Sequence, residues 1–268
     1  MSIPDTNVYA RELVWRMFRD AADEDYFVAR WAARAELYFQ FHWSAQQSLE
    51  KYFKGILLMN DRSVKEFGHD LLSLYKEAKP IIDELVPSIL CPPNYFPRKA
   101  SFASADFEPT EEFLARFNDS GDSGHRYRHY SLSSNGFDLH RFDELCFRLR
   151  RLVFPLEMSY LGGTSTYRMA LIEDQNLQPH DDYAFLRRKK GILLEDSLGI
   201  FKWRNFSFFE SDAVAVGKIN SGFFSTNSQI FMNAQRGDVG KGAIDWLLLN
   251  AKFSKSDQAQ LRSLLEDL

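Results

Sequence analysis

The densest run of side chains able to move protons or grip phosphate is the hexapeptide His125-Arg126-Tyr127-Arg128-His129-Tyr130. An imidazole, with an ordinary pKa of about 6.5, can serve as general acid or base at neutral pH, and a neighbouring guanidinium can stabilise a pentavalent phosphate. His125, Arg126 and Tyr127 are therefore candidate catalytic residues, with Arg128 as a phosphate contact; the plainer reading has the same residues anchoring a loop by stacking and hydrogen bonds. A second cluster, His69-Asp70, follows Gly68 and precedes an apolar run. Asp70 suits the start of a helix, and the His69 imidazole either bonds a neighbouring backbone group or Glu50, or belongs to a site. A third set is Glu50, Lys51 and Lys54. Lys51 or Lys54 could meet a phosphate while Trp43 or Tyr52 stacks on a base, but Glu50 and Lys54 also have the spacing and order of a simple i,i+4 ion pair. Arg187-Arg188-Lys189-Lys190 is the only dense cationic run, suited to RNA or an acidic partner, or to a solvated face.

Several chemistries lack their marks. There is neither G-x-x-x-x-G-K nor G-x-G-x-x-G, no G-x-S-x-G elbow, no H-E-x-x-H and no paired metal-ligand cluster. No cofactor is expected. A formal net charge of -4 over 268 residues and a pI near 5.9 remove the general phosphate attraction of a nucleic-acid coating protein. Cys91 and Cys146 stand far apart and read as buried thiols in a reducing compartment. No apolar run approaches the roughly 20 residues that span a bilayer, and the N-terminus lacks a secretory pattern, so the expectation is a cytoplasmic protein without a membrane partner. Phe is abundant, at 24 residues, which signals aromatic packing or stacking surfaces.

The elements that would position these residues are mainly helical. From about Arg30 to Asn60, Ala35, Tyr38, His42, Ala45, Leu49, Tyr52, Ile56 and Met59 recur at alternating spacings of three and four, the stripe of one long helix. Phe39, Trp43, Phe53 and Leu57 form a second stripe beside it, which makes this helix central. Val8 to about Ala22 reads as an earlier helix, and Asp23 to Arg34 either begins another or extends the long one. Leu71 to Tyr75 suits a short helix ending before Pro80, followed by a turn or two over Asp83 to Leu90, and Cys91 to Pro97 is a rigid three-proline connector. Glu111 to Asn118 is a short helix that stops at a polar loop from Asn118 to Gly124. Asp138 to Phe154 is amphipathic, with Phe142, Leu145, Leu149 and Leu152 inward and Arg141, Glu144, Arg148 and Arg151 outward. Between Gly191 and Asn233, short Phe-, Val- and Ile-rich runs suggest strands or extended packing segments. Two terminal helices follow, over Ala243 to Ala251 and from about Ser256. Residues 1–160 thus read as a helical bundle, and 161–268 as a C-terminal extension of unknown role that can pack on it.

The run Ala45-Gln46-Gln47-Ser48-Leu49-Glu50-Lys51-Tyr52-Phe53-Lys54, with Trp43 before it and Gly68-His69-Asp70-Leu71-Leu72 after it, resembles the HEPN domain (higher eukaryotes and prokaryotes nucleotide-binding). The shared pattern is an aromatic residue, A-x-Q-x-x-E-K-x-x-K on one helix and H-D-L at the start of the next, and it covers roughly Asp23 to Phe154. The resemblance implies an antiparallel helical bundle, often a homodimer, that binds ATP or GTP, partners a small nucleotidyltransferase, or acts as a metal-independent RNase toxin. RNase members carry Arg, four to six residues, then His on a late helix. Arg62 and His69 have that spacing, but they fall after the long helix rather than on a late one. The His125-Arg126-Tyr127 segment supplies the His-x-Tyr of members modified by a partner nucleotidyltransferase. The expected function is a nucleotide- or partner-binding module, with a metal-independent RNase or the toxin of a toxin-antitoxin pair as the alternative.

Overall fold

The computed structural model describes residues 6–91, 107–121, 138–160, 162–173, 200, 205, 237–251 and 255–266. Among these the chain is mainly helical. Helix α1 (Thr6–Val14) continues through a π turn (Trp15–Arg19) into α2 (Asp20–Arg34). Then come α3 (Tyr38–Met59), α4 (Leu71–Ile82), α5 (Thr110–Ser120), α6 (Asp138–Leu152), α7 (Tyr167–Glu173) and the two terminal helices α8 (Asp238–Asn250) and α9 (Lys255–Glu266). A two-stranded antiparallel pair, β1 (Ile89–Leu90) and β2 (Glu108–Pro109), sets Ile89 opposite Pro109 and Leu90 opposite Glu108. The hexapeptide from His125 to Tyr130, the run from Arg187 to Lys190, the three prolines of the connector and the extended segments expected between Gly191 and Asn233 lie outside the described residues, apart from Ile200 and Asn205.

Helix α3 is the centre of the bundle, packed against α2, α4, α5 and α6. Its Ala45, Leu49, Tyr52, Phe53, Ile56 and Leu57 are wholly buried, as the two adjoining stripes require. At Gly55 the packing of α3 leaves no room for a side chain: a Cβ there would stand 2.9 Å from Val153 Cγ1 and 3.3 Å from Phe18 Cβ. The long periodic segment is interrupted, however. Asp23 to Arg34 extends the first helix rather than the central one, and the chain turns at Ala35 to Leu37. The stop is a Schellman motif, in which Leu37 N–H bonds the Ala32 carbonyl at 2.8 Å and Glu36 N–H that of Ala33 at 3.2 Å. Glu36 takes the left-handed conformation (φ 58°) that glycine usually fills, so no glycine marks the break. Helix α3 ends in the same way at Asp61 (φ 58°), with Arg62 N–H on Leu57 O at 2.8 Å.

Other expected boundaries move for identifiable reasons. Helix α4 does not stop before Pro80 but runs through it to Ile82. A proline so near the C-terminal end removes only the helical partner of the Lys76 carbonyl, and the buried Ile82 holds the last turn. Helix α5 continues past Asn118 to Ser120, whose hydroxyl donates to Arg116 O at 2.8 Å and meets His42 Nδ1 at 2.8 Å. Arg141 is buried, not outward, with Nη1 3.0 Å from Glu108 Oε2. Arg116 joins the same cluster, gripping Glu108 at 2.9 Å and Asp138 at 2.7 Å. Cys146 is buried as expected, but Cys91 is exposed beyond β1.

The least expected feature lies between α2 and α6. Arg30, with no exposed side-chain surface, holds Asp143 through Nε–Oδ1 at 2.8 Å and Nη2–Oδ2 at 2.9 Å, and Tyr26 donates its hydroxyl to Oδ1 at 2.7 Å. Seven residues back on α2, the pattern repeats with the roles exchanged. Asp23 accepts Arg150 Nε at 2.8 Å and Nη2 at 2.9 Å, and Tyr52 of α3 donates to Asp23 Oδ1 at 2.6 Å. Burial pushes both carboxyls up, and the arginine and tyrosine on each pull them back down. Between the rungs, burial pushes the Cys146 thiol well up, so it stays protonated. The remaining Arg30 nitrogen donates to the Ile200 carbonyl, and Asn205 Nδ2 donates to the Tyr26 hydroxyl at 2.6 Å, which ties these two residues of the C-terminal third to α2. Helix α8 packs on α1, Asn250 O accepts Val64 N–H at 2.8 Å, and Leu171, Leu247 and Ala251 join the main core.

Asp143→Ala would leave the Arg30 guanidinium buried without its carboxylate, at an expected cost of about 3–5 kcal/mol in urea unfolding. Replacing both partners, Arg30→Met with Asp143→Leu, should restore most of that loss. A single-variant cost below about 1 kcal/mol, the range of exposed pairs, would show that the rung does not hold the helices together.

Candidate functional site

The polar strip of α3 meets the start of α4. Gln46, Glu50 and Lys54 recur at four-residue intervals, so they stack along one side of the helix. The turn after α3 brings His69 and Asp70 against them. Asp70 is the N-cap of α4: its carboxylate accepts Leu72 N–H at 3.0 Å and the Ser73 hydroxyl at 2.6 Å. Leu71 N–H, another donor of that first turn, is satisfied by Asn118 Oδ1 at 2.9 Å, which fixes the entry of α4 to the end of α5.

With the turn fixed, His69 Nδ1 lies 2.9 Å from Glu50 Oε2, and Lys54 Nζ donates to Glu50 Oε1 at 2.6 Å. The Glu50 side chain is 7% exposed and that of His69 is 79% exposed. A buried carboxylate therefore orients an exposed imidazole. It selects the tautomer with the proton on Nδ1 and leaves Nε2 towards solvent, the arrangement by which a carboxylate orients a general base or a ligand-binding histidine. The bond to Glu50 is one of the two local roles that the sequence allows for His69.

Around this core the charges are already matched. Lys51 pairs with Asp25 on α2. Burial pushes the Asp25 carboxyl up, against the pull of Lys51. A phosphate reaching Lys51 or Lys54 would thus compete with a carboxylate for each. Trp43 is half-buried on α3, seven residues and about 10 Å along the axis from Glu50. Tyr52 is not at the surface at all, being committed to Asp23.

Two further residues shape the site. Gln46 donates weakly to the His69 carbonyl at 3.4 Å, while its buried Oε1 has no hydrogen-bond partner among the described residues. Gly121, one residue beyond α5, presses on that same amide: a Cβ there would stand 2.5 Å from Gln46 Cβ and 2.6 Å from Oε1. His125, Arg126, Tyr127 and Arg128 follow a few residues later in the sequence and lie outside the described residues. Among the described residues no group of three or more His, Cys, Asp or Glu could hold a metal ion, and no helix is long and apolar enough to cross a membrane.

Arg62 is not near His69 in the fold. It lines a cavity at the C-terminal end of α3, whereas His69 sits beside Glu50, more than two turns back along that helix. Their sequence spacing therefore does not make a working pair. Asp25, Ser73 and Asn118 complete the site without having been singled out in the sequence. Ser73 had a signal, since Asp and Ser three residues apart at a helix start suit a cap, but Asn118 and Asp25 arrive from other helices and had none.

Compared with known proteins, the chain matches no family model, no curated protein sequence and no solved structure.

The Ser73 hydroxyl is the main influence holding the Asp70 carboxyl below its ordinary range. A carboxyl whose pKa is lower in the fold stabilises it above the unfolded value of about 3.9 and loses that contribution as the pH falls through the folded value. Asp70→Ala should cost about 1 kcal/mol at pH 7, and the gap from wild type should close as urea unfolding is repeated below about pH 4. A gap that persists unchanged in acid would mean that the carboxylate is not the cap. Gly121→Ala should cost about 1–3 kcal/mol by overpacking, and Gln46→Gly in the same chain, which removes the Cβ met at 2.5 Å, should bring the double variant below the sum of the two single losses; two independent, additive losses would place the strain elsewhere.

Proposed function

We propose that this chain is a HEPN-type helical module that binds a nucleotide or a partner protein through the α3 strip running from Trp43 past Glu50 and Lys54 to His69. The observation that carries this reading is that residues of two separate sequence motifs make one physical unit: Glu50 of A-x-Q-x-x-E-K-x-x-K accepts from Lys54 of the same motif and bonds His69 of H-D-L, and Gln46 reaches the His69 backbone. An exposed imidazole held by a buried carboxylate is a ready ligand contact, and a half-buried indole on the same helix is suited to a base or to an apolar side chain.

Binding ranks ahead of catalysis because Lys51 and Lys54 are each engaged by a carboxylate, so neither is a ready cation for a developing phosphorane charge. One observation keeps a metal-independent RNase as a second reading: Glu50 sets His69 in the tautomer that a general base needs. A 2′,3′-cyclic phosphate product formed in the presence of chelator is the mark of that activity.

The test is a thermal-shift screen with ATP, GTP, their diphosphates and short RNA, with and without EDTA. A ligand at 100 times its Kd adds about 2.7 kcal/mol to the folded state, or roughly 5–10 °C for a chain of this size. The shift should fall away in His69→Gln and Lys54→Ala, and in His125→Ala with Arg126→Ala, while the far-UV helical signal is kept. No shift with any of these ligands overturns the nucleotide reading and leaves the partner reading, for which capture of a purified nucleotidyltransferase is the direct assay.

A further inference from the structure

We propose that the cavity at the C-terminal end of α3 binds a small organic anion, a carboxylate or phosphate monoester carried on an apolar body. The cavity measures about 480 Å³, inside the roughly 300–1,000 Å³ typical of small-molecule sites. Among the described residues, four separate segments line it: α1, the turn after α3, the last turn of α4 and the stretch from Pro155 to Arg168. Pro80, Ile81, Pro155 and Met158 give it an apolar surface, and three arginines reach its edge.

Those arginines are not equivalent. Arg168 is already answered by Glu157 at 2.5 Å and Glu84 at 2.6 Å. Arg11 and Arg62 have no carboxylate within ion-pair distance among the described residues. The Arg11 guanidinium makes only a 3.8 Å contact to the Met158 thioether, a weak acceptor. Two guanidinium groups, one from α1 and one from the turn after α3, both lining the hollow, offer a fork to one carboxylate or phosphate group whose body lies on the proline and isoleucine surface. Two carboxylates also line the cavity: Glu157, which answers Arg168, and Asp61, in its left-handed turn between Asn60 and Arg62, whose charge favours ligands of low negative charge.

The walls are fixed before any ligand arrives. Asn60 donates to Ile56 O at 2.8 Å and to Phe154 O at 3.3 Å, and accepts Leu156 N–H at 3.1 Å, so the α3 terminus and the segment after α6 cannot drift apart. Tyr167 N–H on Met158 O and Arg168 N–H on Leu156 O, both at 2.9 Å, pin the returning strand of that segment. A preformed site loses little to ordering when it is filled.

The test is titration calorimetry at constant ionic strength with phenyl phosphate, benzoate and inorganic phosphate as probes. Saturable binding of phenyl phosphate or benzoate is expected, and whichever binds tells the phosphate source from the carboxylate one. Arg11→Gln and Arg62→Gln should each weaken it about tenfold, the loss of one charge-assisted hydrogen bond. Asp61→Asn, which keeps a residue at ease in the left-handed region, should tighten it. His69→Gln should leave it unchanged, which separates this site from the α3 strip. Absence of saturable binding by either aromatic probe, or binding indifferent to both arginine variants, overturns the proposal. Inorganic phosphate binding as tightly as phenyl phosphate overturns the role given to the apolar surface.

Discussion

Two guanidinium groups and two carboxylates lie paired away from water where the helices of this bundle meet. Each is expensive to bury alone, since an uncompensated ion in a protein interior costs several kcal/mol. Arg30 with Asp143 and Arg150 with Asp23 cancel that cost pairwise, and a tyrosine hydroxyl takes up part of each carboxylate's remaining capacity. The consequence reaches three helices of the bundle and part of the C-terminal third. Helices α2 and α6 are joined directly, α3 enters through Tyr52, and the C-terminal third through Ile200 and Asn205. With α3 clamped in this way, another side of the helix presents Glu50 and Lys54 to the start of α4.

The helical class and the central position of α3 follow from hydrophobic periodicity, which a sequence displays openly. The end of α4 and the break before α3 do not, because both depend on tertiary choices. A buried Ile82 outweighs a proline, and Glu36 accepts a left-handed backbone where glycine would have announced a turn. The buried ladder was written in the sequence as Asp23 and Arg30 on one helix and Asp143 and Arg150 on another, each pair one heptad apart. Charged residues at that spacing read as solvated faces until the helices that pair them are known, and Arg141, outward by periodicity but buried against Glu108, shows the same limit.

The site shows the same division. Asp70 and His69 announce a helix start through residue type alone, and the bond from His69 to Glu50 was one of two local options. What the sequence could not convey is the neutralisation around them. Asp25 comes from a different helix to occupy Lys51, and Glu50 is buried while the imidazole it holds is exposed. These facts turn a cationic strip into an oriented histidine with balanced surroundings, and they shift the weight of the reading from phosphate chemistry towards recognition.

The order of signs along the two ladder helices has one more effect. In the native antiparallel alignment every acid faces a base. Sliding α6 by one heptad in one direction would set Asp23 against Asp143, and sliding it the other way would set Arg30 against Arg150. Apolar side chains alone tolerate such a slip, because their pattern repeats with the same period. Like charges in a dry interface do not, so the alternative alignments most nearly compatible with the greasy stripes are the ones the ladder makes untenable. The polar interior of this protein thereby acts as a key for alignment, rejecting near-miss packings that the hydrophobic pattern would accept.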